Sequence, residues 1–400
     1  MSVTFPRGFR AAGVVAGLKE SGRPDLALLV ADVDAPAAAA GAFTTNAFPA
    51  APVTLAREHL RGGRARAVVV NSGQANAGTG APGMQDARAT AAAVADVLGC
   101  QPDEVLVCST GVIGPRVRLD RLRDGLPGAA GALSTDPGGG EAFARAILTT
   151  DTRAKQASAS AGAWRVGGCV KGAGMIGPRL APAELGTMLA FLTTDAPATP
   201  EALAAIVAER VVPAFNSVTV DACPSTNDTV LLLASGAAGG DAVLPGTPGA
   251  AALGEAVAAV CEDLARQLVA DAEGASRVLV VHVEGAGDDE AARAVGLAVA
   301  SSPLVKTAVA GGDPNPGRFL QAVGASGAAF DPAGVRVLLG GEAVIERGIV
   351  AEPVPEKAER AMSEPEVVLR VELGSGPGAA TVFGCDLTEG YVEINARYHT

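Results

Sequence analysis

The stretch from residue 65 to residue 114 decides the fold class. It begins with ARAVVV (65–70), typical of a buried strand, which is predicted to end in the polar loop NSGQANAGTG (71–80). GMQDARATAAAVADVL (83–98) has the periodicity of a helix ending at Gly99. EVLVC (104–108) predicts a second strand, which stops at the loop STGVIG (109–114). This order predicts a layered α/β protein, in which small polar groups after the strands are typical of a site.

The rest of the chain continues the alternation of short apolar runs and alanine-rich runs. Further strands are predicted at Thr229–Leu233, Arg277–Glu284, Val335–Leu339, Val367–Leu373, Gly384–Asp386 and Tyr391–Asn395, with a hairpin over Ser158–Val170. Helices are predicted at Glu141–Leu148, Leu185–Leu192, Pro200–Val211, Gly249–Ala270 and Asp288–Ala300. Two stretches rich in glycine and proline, 126–140 and 236–250, predict turns or linkers.

Composition narrows the class of protein. The chain has 400 residues, and its 31 basic and 43 acidic side chains give a net charge of −12, with no basic stretch that could follow phosphates, so we expect no nucleic-acid partner. It has no signal-peptide layout and no apolar run long enough for a membrane span. Six cysteines without a CxxC pair argue against a disulfide framework and a zinc site. We therefore expect a cytoplasmic protein without a bound metal.

The segment KGAGMIG (171–177) imitates a dinucleotide-binding fingerprint. A dinucleotide site needs a helix to begin at these glycines, but Pro178 and Pro182 follow and would break its first turns. We therefore reject that interpretation. Lys171 remains a candidate ligand for a carboxylate, because flanking glycines let the backbone approach a small molecule, although a tight turn with a solvated lysine is the simpler interpretation.

Thr187 follows Gly186 in GTMLAFLTTD (186–195). A threonine hydroxyl is a weak nucleophile unless a base lies beside it, and chain cleavage before the threonine would supply its own α-amine as that base. Such an amine has a pKa of roughly 7.7–8, which suits proton transfer near neutral pH. Taken alone, Thr187 is more simply a helix N-cap.

Three other places carry candidate site residues. Thr110 and Gly111 could hold a developing oxyanion through a hydroxyl and an amide, or form a capped turn. Glu273 follows the predicted long helix and could pair with a substrate amine, or be an ordinary helix-end acid. The polar C-terminal segment from Asn395 to Thr400 would have to dock into a pocket to have a function.

The set and order of these motifs carry a resemblance that none of them carries alone. The blocks are NSGQANAGTG (71–80), CSTGVIG (108–114), TTDTRAK (149–155), KGAGMIG (171–177), GTMLAFLTTDA (186–196), STNDT (225–229), EGA (273–275), SSPLVKTAVAGGDPN (301–315) and GCDLTEGYVEINARYHT (384–400). In this order they resemble the ornithine acetyltransferase family, also called bifunctional glutamate N-acetyltransferase or arginine-biosynthesis protein J. The resemblance runs through nearly the whole chain.

The resemblance implies a fold like that of the N-terminal-nucleophile hydrolases. It also implies self-cleavage between Gly186 and Thr187 into an α chain (1–186) and a β chain (187–400), which associate as a heterotetramer of two of each. The implied activity is transfer of an acetyl group from N2-acetylornithine to glutamate in arginine biosynthesis, through an acetyl-threonine. Some members also use acetyl-CoA as a donor, and no cofactor is implied.

The resemblance also implies the roles of particular residues. Thr187 is the nucleophile, and Thr110 and Gly111 form the oxyanion hole. The implied substrate contacts are Thr149, Lys171, Thr187, Glu273, Asn395 and Thr400. The segment PRLAPAEL (178–185) is longer than the family's usual linker. A non-catalytic relative that binds an acetylated amino acid therefore stays an alternative, as does an amidohydrolase in which water takes the acyl group.

Overall fold

The computed structural model describes residues 2–178, 180–182 and 188–397. Two compact units are distinguished among the described residues: those of 2–216 and 224–264 form unit 1, and those of 217–223 and 265–397 form unit 2. The predicted α and β chains, 1–186 and 187–400, are products of cleavage rather than packing units, and this division stays a prediction. The 186–187 bond lies outside the described residues.

The strands and helices of the described residues alternate as the layered α/β prediction requires. The strands are β1 Phe9–Val14, β2 Leu26–Ala31, β3 Ala37–Thr44, β4 Arg64–Ala65, β5 Ala67–Gln74, β6 Val105–Val112, β7 Lys155–Ala161, β8 Trp164–Lys171, β9 Leu180–Pro182, β10 Leu189–Thr194, β11 Thr229–Ala234, β12 Val278–Ala286, β13 Arg336–Leu339, β14 Glu342–Glu346, β15 Ile349–Val350, β16 Glu366–Glu372 and β17 Gly378–Cys385. The α-helices are α1 Ala51–His59, α2 Gly80–Leu98, α3 Leu119–Gly131, α4 Pro137–Ala146, α5 Pro200–Ile206, α6 Val212–Phe215, α7 Pro248–Val269, α8 Asp289–Ser301, α9 Pro303–Gly311, α10 Pro316–Gly324, α11 Glu356–Ala361 and α12 Glu389–Arg397.

Unit 1 contains two sheets. The first has the order β1-β2-β5-β6, and the second has the order β4-β3-β11-β10-β8-β7 with β9 paired to β3. Buried side chains of both sheets share one apolar cluster, in which the rings of Phe143 and Phe191 meet edge to face at 5.2 Å between centroids. A second cluster packs α2 and α3 against the other face of the first sheet. This layering fixes the strand ends that carry the candidate site.

Unit 2 contains one sheet, β15-β14-β13-β16-β12-β17, with one apolar cluster formed by its strands and by α8, α9, α10 and α11. Side chains cap the first three of these helices. Asp288, Ser302 and Asn315 each accept a hydrogen bond from the backbone N–H three residues on, and proline follows both Ser302 and Asn315 in the first turn, where its missing donor costs nothing.

The fold confirms most of the predicted elements in the described residues. The strand–helix–strand unit is present as β5, α2 and β6, and Gly99 ends α2 in the left-handed conformation. The hairpin around Gly162 is β7 and β8, and the long helix predicted from Gly249 is α7. KGAGMIG follows a strand and begins no helix, in agreement with the rejection of a dinucleotide site.

Four predictions were wrong. The helix at Leu185–Leu192 is wrong in its described part, because residues 189–194 form β10, which is buried between β8 and β11. The strand at Tyr391–Asn395 is the helix α12. NSGQ (71–74) and STGV (109–112) belong to strands rather than loops, and much of the glycine-rich stretch 126–140 lies in α3 and α4.

No single helix in the described ranges is both long and apolar enough to span a membrane. The bent pair α8 and α9 meets the length and hydropathy criterion only when its two helices are taken together.

Candidate active site

The ends of β5 and β6 bring two of the quoted sequence blocks side by side. The two strands are parallel, so that Asn71 lies beside Ser109 and Gly73 beside Gly111. The Ser109 hydroxyl donates a hydrogen bond to the Asn71 side-chain oxygen. The polar residues that follow the two apolar runs therefore form one buried edge, which continues the strands instead of leaving the sheet as loops.

Gly111 has a backbone conformation that excludes other residues. Its φ is +125°, and a Cβ there would lie 2.4 Å from the carbonyl carbon of Gly73. Gly73 has a similar φ of +129°. The two chains approach this closely only because both positions lack a side chain. A bulkier residue at Gly111 would displace the end of β6, where Thr110 lies.

Lys171 and Thr110 are brought together although 61 residues separate them in sequence. Lys171 ends β8, and its Nζ donates to the Thr110 hydroxyl oxygen at 3.3 Å. Both side chains are buried. The predicted substrate lysine and the predicted oxyanion-hole threonine are therefore direct neighbours, with a positive charge beside a hydroxyl.

Asp151 organises the charges around Lys171. Its carboxylate accepts hydrogen bonds from Lys155 Nζ at 2.6 Å, from the Gly172 amide at 2.6 Å and from the Thr149 amide at 3.0 Å. Asp151 and Lys155 are fully buried. Burial opposes ionisation of Asp151, but Lys171 and Lys155 outweigh it and hold the pKa of that carboxyl well below its usual range. We call Thr110, Asp151, Lys155 and Lys171 the Lys171 cluster. Its two ammonium groups and one carboxylate leave a net positive charge.

The STNDT block (225–229) connects this edge to the neighbouring strand. The Asn227 side-chain amide donates to the carbonyls of Ala75 and Ser109 at 2.6 and 2.8 Å. The Thr229 amide donates to the Met188 carbonyl at 2.7 Å. Because Met188 directly follows Thr187 in the sequence, this bond fixes the described residue nearest to the predicted nucleophile.

Asp228, in the same block, is buried and its Oδ2 has no hydrogen-bond partner among the described residues. Burial raises the pKa of this carboxyl well above its ordinary value, against the opposing effects of the Ser225 amide and Lys171. Asp151 and Asp228 therefore differ in the charge they favour, because the cationic Lys171 and Lys155 outweigh burial at Asp151, whereas burial outweighs the opposing effects at Asp228.

In unit 2, Glu273 and Asn395 lie together. The Asn395 side-chain amide donates to Glu273 Oε2 at 2.8 Å and to the Tyr391 carbonyl at 3.1 Å. The Asn395 side chain is exposed and Glu273 is half-buried. A Cβ on Gly274 would lie 2.2 Å from the Tyr391 amide nitrogen, so α12 packs directly on the loop that carries Glu273. We call Glu273 and Asn395 the Glu273 pair.

The structure thus places most of the predicted site residues. Thr110, Gly111 and Lys171 form one group with the backbone of Thr149, and Glu273 and Asn395 form another. Gly186, Thr187 and Thr400 lie outside the described residues. Sequence reasoning missed Asp151, Lys155 and Asn227, although all three stand in or beside the quoted blocks. Within the described ranges, no group of three or more histidine, cysteine, aspartate or glutamate residues could hold a metal ion.

Comparison with known proteins decides the family. The family model described as "ArgJ family" matches residues 10–400. The arginine biosynthesis bifunctional protein ArgJ of Thermus thermophilus is 47% identical over 401 residues, and that of Streptomyces coelicolor is 46% identical over 398 residues, in each case covering all of both chains. This chain belongs to the ArgJ family. The predicted family and the predicted enzyme class, an acetyltransferase, are therefore confirmed.

A solved structure is also similar to this ArgJ-family chain. Ornithine acetyltransferase from Mycobacterium tuberculosis, crystallised with ornithine, is 47% identical over a match that covers 45% of this chain and 96% of that chain, with a TM-score of 0.44. An ArgJ from Bacillus halodurans is 36% identical over a match of the same share of this chain, with a TM-score of 0.41.

Proposed function

We propose that this chain is a self-cleaving acetyltransferase that moves an acetyl group from N2-acetylornithine to glutamate. Thr187 is the nucleophile, and the acetyl group is held on its hydroxyl between the two half-reactions. The proposal rests on family membership over the whole chain and on the contact between Lys171 and Thr110, which joins two blocks assigned to the site from sequence.

The proposed cleavage is an acyl shift followed by hydrolysis. The Thr187 hydroxyl attacks the Gly186 carbonyl carbon, the peptide C–N bond breaks, and the leaving nitrogen takes up a proton to become the Thr187 α-amine. Water then hydrolyses the resulting ester, which frees the Gly186 carboxylate and restores the hydroxyl. Gly186 offers no side chain to obstruct the attack, and an α-amine of ordinary pKa can then serve as the base for later turnovers.

Acetyl transfer uses the same hydroxyl twice. Thr187 attacks the acetamide carbonyl of the donor, and the departing ornithine nitrogen takes the proton that the hydroxyl gave to the α-amine. The amine of glutamate then attacks the acetyl-threonine carbonyl carbon, and the ester C–O bond breaks. The proton lost by this amine passes through the Thr187 α-amine to the freed hydroxyl oxygen, and N-acetylglutamate leaves. Thr110 and Gly111 would stabilise the oxyanion of both tetrahedral intermediates, at a typical ~3 kcal/mol for each donor. Lys171 adds a positive charge beside them.

The two ends of N2-acetylornithine need protein groups of opposite charge. Both substrates carry an α-carboxylate, and we assign it to Lys171, whose cluster has a net positive charge. We assign Glu273, which Asn395 orients, to the cationic side chain of ornithine. Thr149 and Thr400 complete the proposed substrate contacts. Acetyl-CoA as a second donor would fit the word "bifunctional" in the relatives' names.

We further propose that the fold is of the N-terminal-nucleophile type, that the products of cleavage assemble as two α and two β chains, and that the enzyme works in the cytoplasm without a cofactor. The described part of the long segment 178–185 supports a productive arrangement. Residues 180–182 pair with β3 as β9, so this part of the longer segment is built into the second sheet.

The test is replacement of Thr187 by alanine. Wild-type protein with N-acetylornithine and glutamate should release ornithine and N-acetylglutamate in equal amounts. The variant should release neither product. Retained transfer in the variant would exclude Thr187 as the nucleophile. Acetate release from N-acetylornithine without an amine acceptor would identify an amidohydrolase instead.

A further inference from the structure

A loop of unit 1 is fixed beside the end of β5 by a buried carboxylate. Asp25 is fully buried, and its two oxygens accept hydrogen bonds from the amides of Ala16, Leu18 and Lys19 at 2.6 to 2.8 Å. The Gln74 side chain donates to the Leu18 carbonyl at 2.8 Å. Asp25 thus binds three backbone amides of this loop, and Gln74 binds one of its carbonyls. These hydrogen bonds fix the backbone of Lys19.

The side chain of Lys19 lies next to the predicted oxyanion hole. A Cβ on Gly73 would lie 3.5 Å from Lys19 Cγ, and Gly73 is the strand neighbour of Gly111. The Lys19 ammonium donates to the Pro24 carbonyl at 2.7 Å. That one neutral acceptor leaves further N–H donors of the ammonium for a ligand.

Lys19 belongs to a group of charges around Thr149. Arg23 donates to the Thr149 carbonyl at 3.1 Å, and the charges of Arg23, Asp25, Lys171 and Asp151 all act on Lys19. Burial contributes most, followed by Arg23, and together they lower the pKa of Lys19 from 10.5 to about 8. The cations outnumber the carboxylates here, so an added anion is favoured and would stabilise the protonated amine.

We propose that Lys19 binds the side-chain carboxylate of the glutamate acceptor. This assignment rests on the function proposed above. The donor and the acceptor share an α-carboxylate, which Lys171 accounts for, but only glutamate carries a second one. Lys19 is a further ammonium group in the same unit, within electrostatic range of Lys171. It lies beside Gly73 of β5, the strand paired with β6, which carries Thr110 and Gly111. The ammonium at the end of the ornithine side chain would be repelled there, so Lys19 distinguishes acceptor from donor.

The experiment measures both Michaelis constants in Lys19→Met, with Lys357→Met as the matched control. Lys357 is an exposed lysine of unit 2 that pairs with Glu342. Loss of one charge-assisted hydrogen bond should raise KM for glutamate about 10- to 100-fold, with KM for N-acetylornithine changed less than about 3-fold. Lys19→Arg should recover part of the loss, and Lys357→Met should change neither constant.

A second measurement replaces the substrate instead of the protein. The side chain of glutamine has the size of the glutamate side chain, but it ends in an amide and carries no second negative charge. The wild-type enzyme should prefer glutamate to glutamine strongly as acceptor, and Lys19→Met should lose most of that preference. This comparison within one variant holds even if the substitution lowers the amount of folded protein.

Two results would overturn the assignment of Lys19. One is an equal rise in KM for both substrates in Lys19→Met, and the other is an unchanged preference for glutamate over glutamine. Either result, obtained while Thr187→Ala is inactive in cleavage and transfer, rejects the role of Lys19 and leaves the proposed function intact. Transfer by Thr187→Ala would instead reject the proposed function itself.

Discussion

The Lys171 cluster and the Glu273 pair arrange their charged groups in two different ways. In the Lys171 cluster, Asp151 and Lys155 have no exposed side-chain surface, and the Asp151 carboxylate is held by the Lys155 ammonium and the Gly172 amide. In the Glu273 pair, an exposed amide on a terminal helix meets a half-buried carboxylate. Both arrangements pair a carboxylate with hydrogen-bond donors, but only the first is removed from water.

This difference indicates which of the two groups of residues has a fixed geometry. A buried charge network costs a large desolvation free energy, which only well-placed partners offset, so such a network fixes the geometry of the groups around it. An exposed pair contributes little to stability and can rearrange around a ligand. We infer that the Lys171 cluster holds the α-carboxylate common to both substrates, whereas the Glu273 pair binds only the cationic side chain of ornithine.

The largest effect is expected from a substitution in the buried Lys171 cluster. Asp151→Asn leaves the Lys155 ammonium buried without its carboxylate, which should lower the free energy of unfolding by about 3–5 kcal/mol. Urea unfolding monitored by circular dichroism measures it. Glu356→Gln is the matched control, because Glu356 and Arg360 have the same four-residue spacing but are exposed; no measurable change is expected. Equal effects of the two substitutions would contradict the account.

Removing the charge of Lys171 should affect both substrates. Lys171→Met should raise KM for N-acetylornithine and for glutamate by about 10- to 100-fold each, because the shared α-carboxylate loses its partner. Steady-state kinetics with each substrate varied in turn measures both constants. Lys171→Arg should retain part of the binding. A rise confined to one substrate would show that Lys171 does not bind the common group.

Acid should unfold the protein partly through Asp151. The pKa of its carboxyl is lowered by folding from an ordinary value of 3.8, so the folded state binds fewer protons than the unfolded state. The stability it contributes is therefore complete above about pH 5 and is lost as pH falls further, by up to about 1.4 kcal/mol per pH unit. Urea midpoints of wild type and Asp151→Asn between pH 6 and pH 3 compare this slope. An equally steep fall in the variant would assign the acid sensitivity to other groups.

The smallest effect is expected from a substitution in the exposed Glu273 pair. Asn395→Ala removes one exposed hydrogen bond to Glu273 and should raise KM for N-acetylornithine about 2- to 5-fold, with KM for glutamate and the unfolding midpoint unchanged. The same kinetic assay and urea titration detect both quantities. A drop in stability as large as that of Asp151→Asn would remove the distinction between the two regions.

Sequence alone was sufficient where the pattern is local. The apolar run at 67–70, the helix ending at Gly99 and the second run at 105–108 define a β–α–β unit without any information from the rest of the chain. Three of the blocks that indicated the family, NSGQANAGTG (71–80), CSTGVIG (108–114) and KGAGMIG (171–177), likewise lie at the ends of strands. Thr110 and Lys171 could therefore be named as site residues before their contact was seen.

The wrong predictions came from patterns that local periodicity does not resolve. The run LAFLTT (189–194) is buried on both faces as a central strand, and such an uninterrupted apolar run has no strand alternation to distinguish it from a helix. In YVEIN (391–395), apolar and polar residues alternate as in a strand, but Val392 is exposed on α12. Burial in the fold, rather than alternation in the sequence, decided both cases.

The missed residues depend on contacts that are distant in the chain. Asp151 accepts a hydrogen bond from the Gly172 amide. Asn227 donates one to the carbonyl of Ser109, which lies 118 positions away. Lys19 acquires its position from Asp25 nearby, but its relevance comes from Gly73 and Lys171. An aspartate between two threonines, or a lysine in a loop, does not indicate from the sequence which distant residues it will contact.

The central claim is that cleavage frees Thr187 as the nucleophile. Intact mass spectrometry of the purified protein under denaturing conditions tests it most directly. The account predicts two chains of 186 and 214 residues, the second beginning at Thr187. A single species of 39.5 kDa in wild-type protein that still transfers acetyl groups would contradict it.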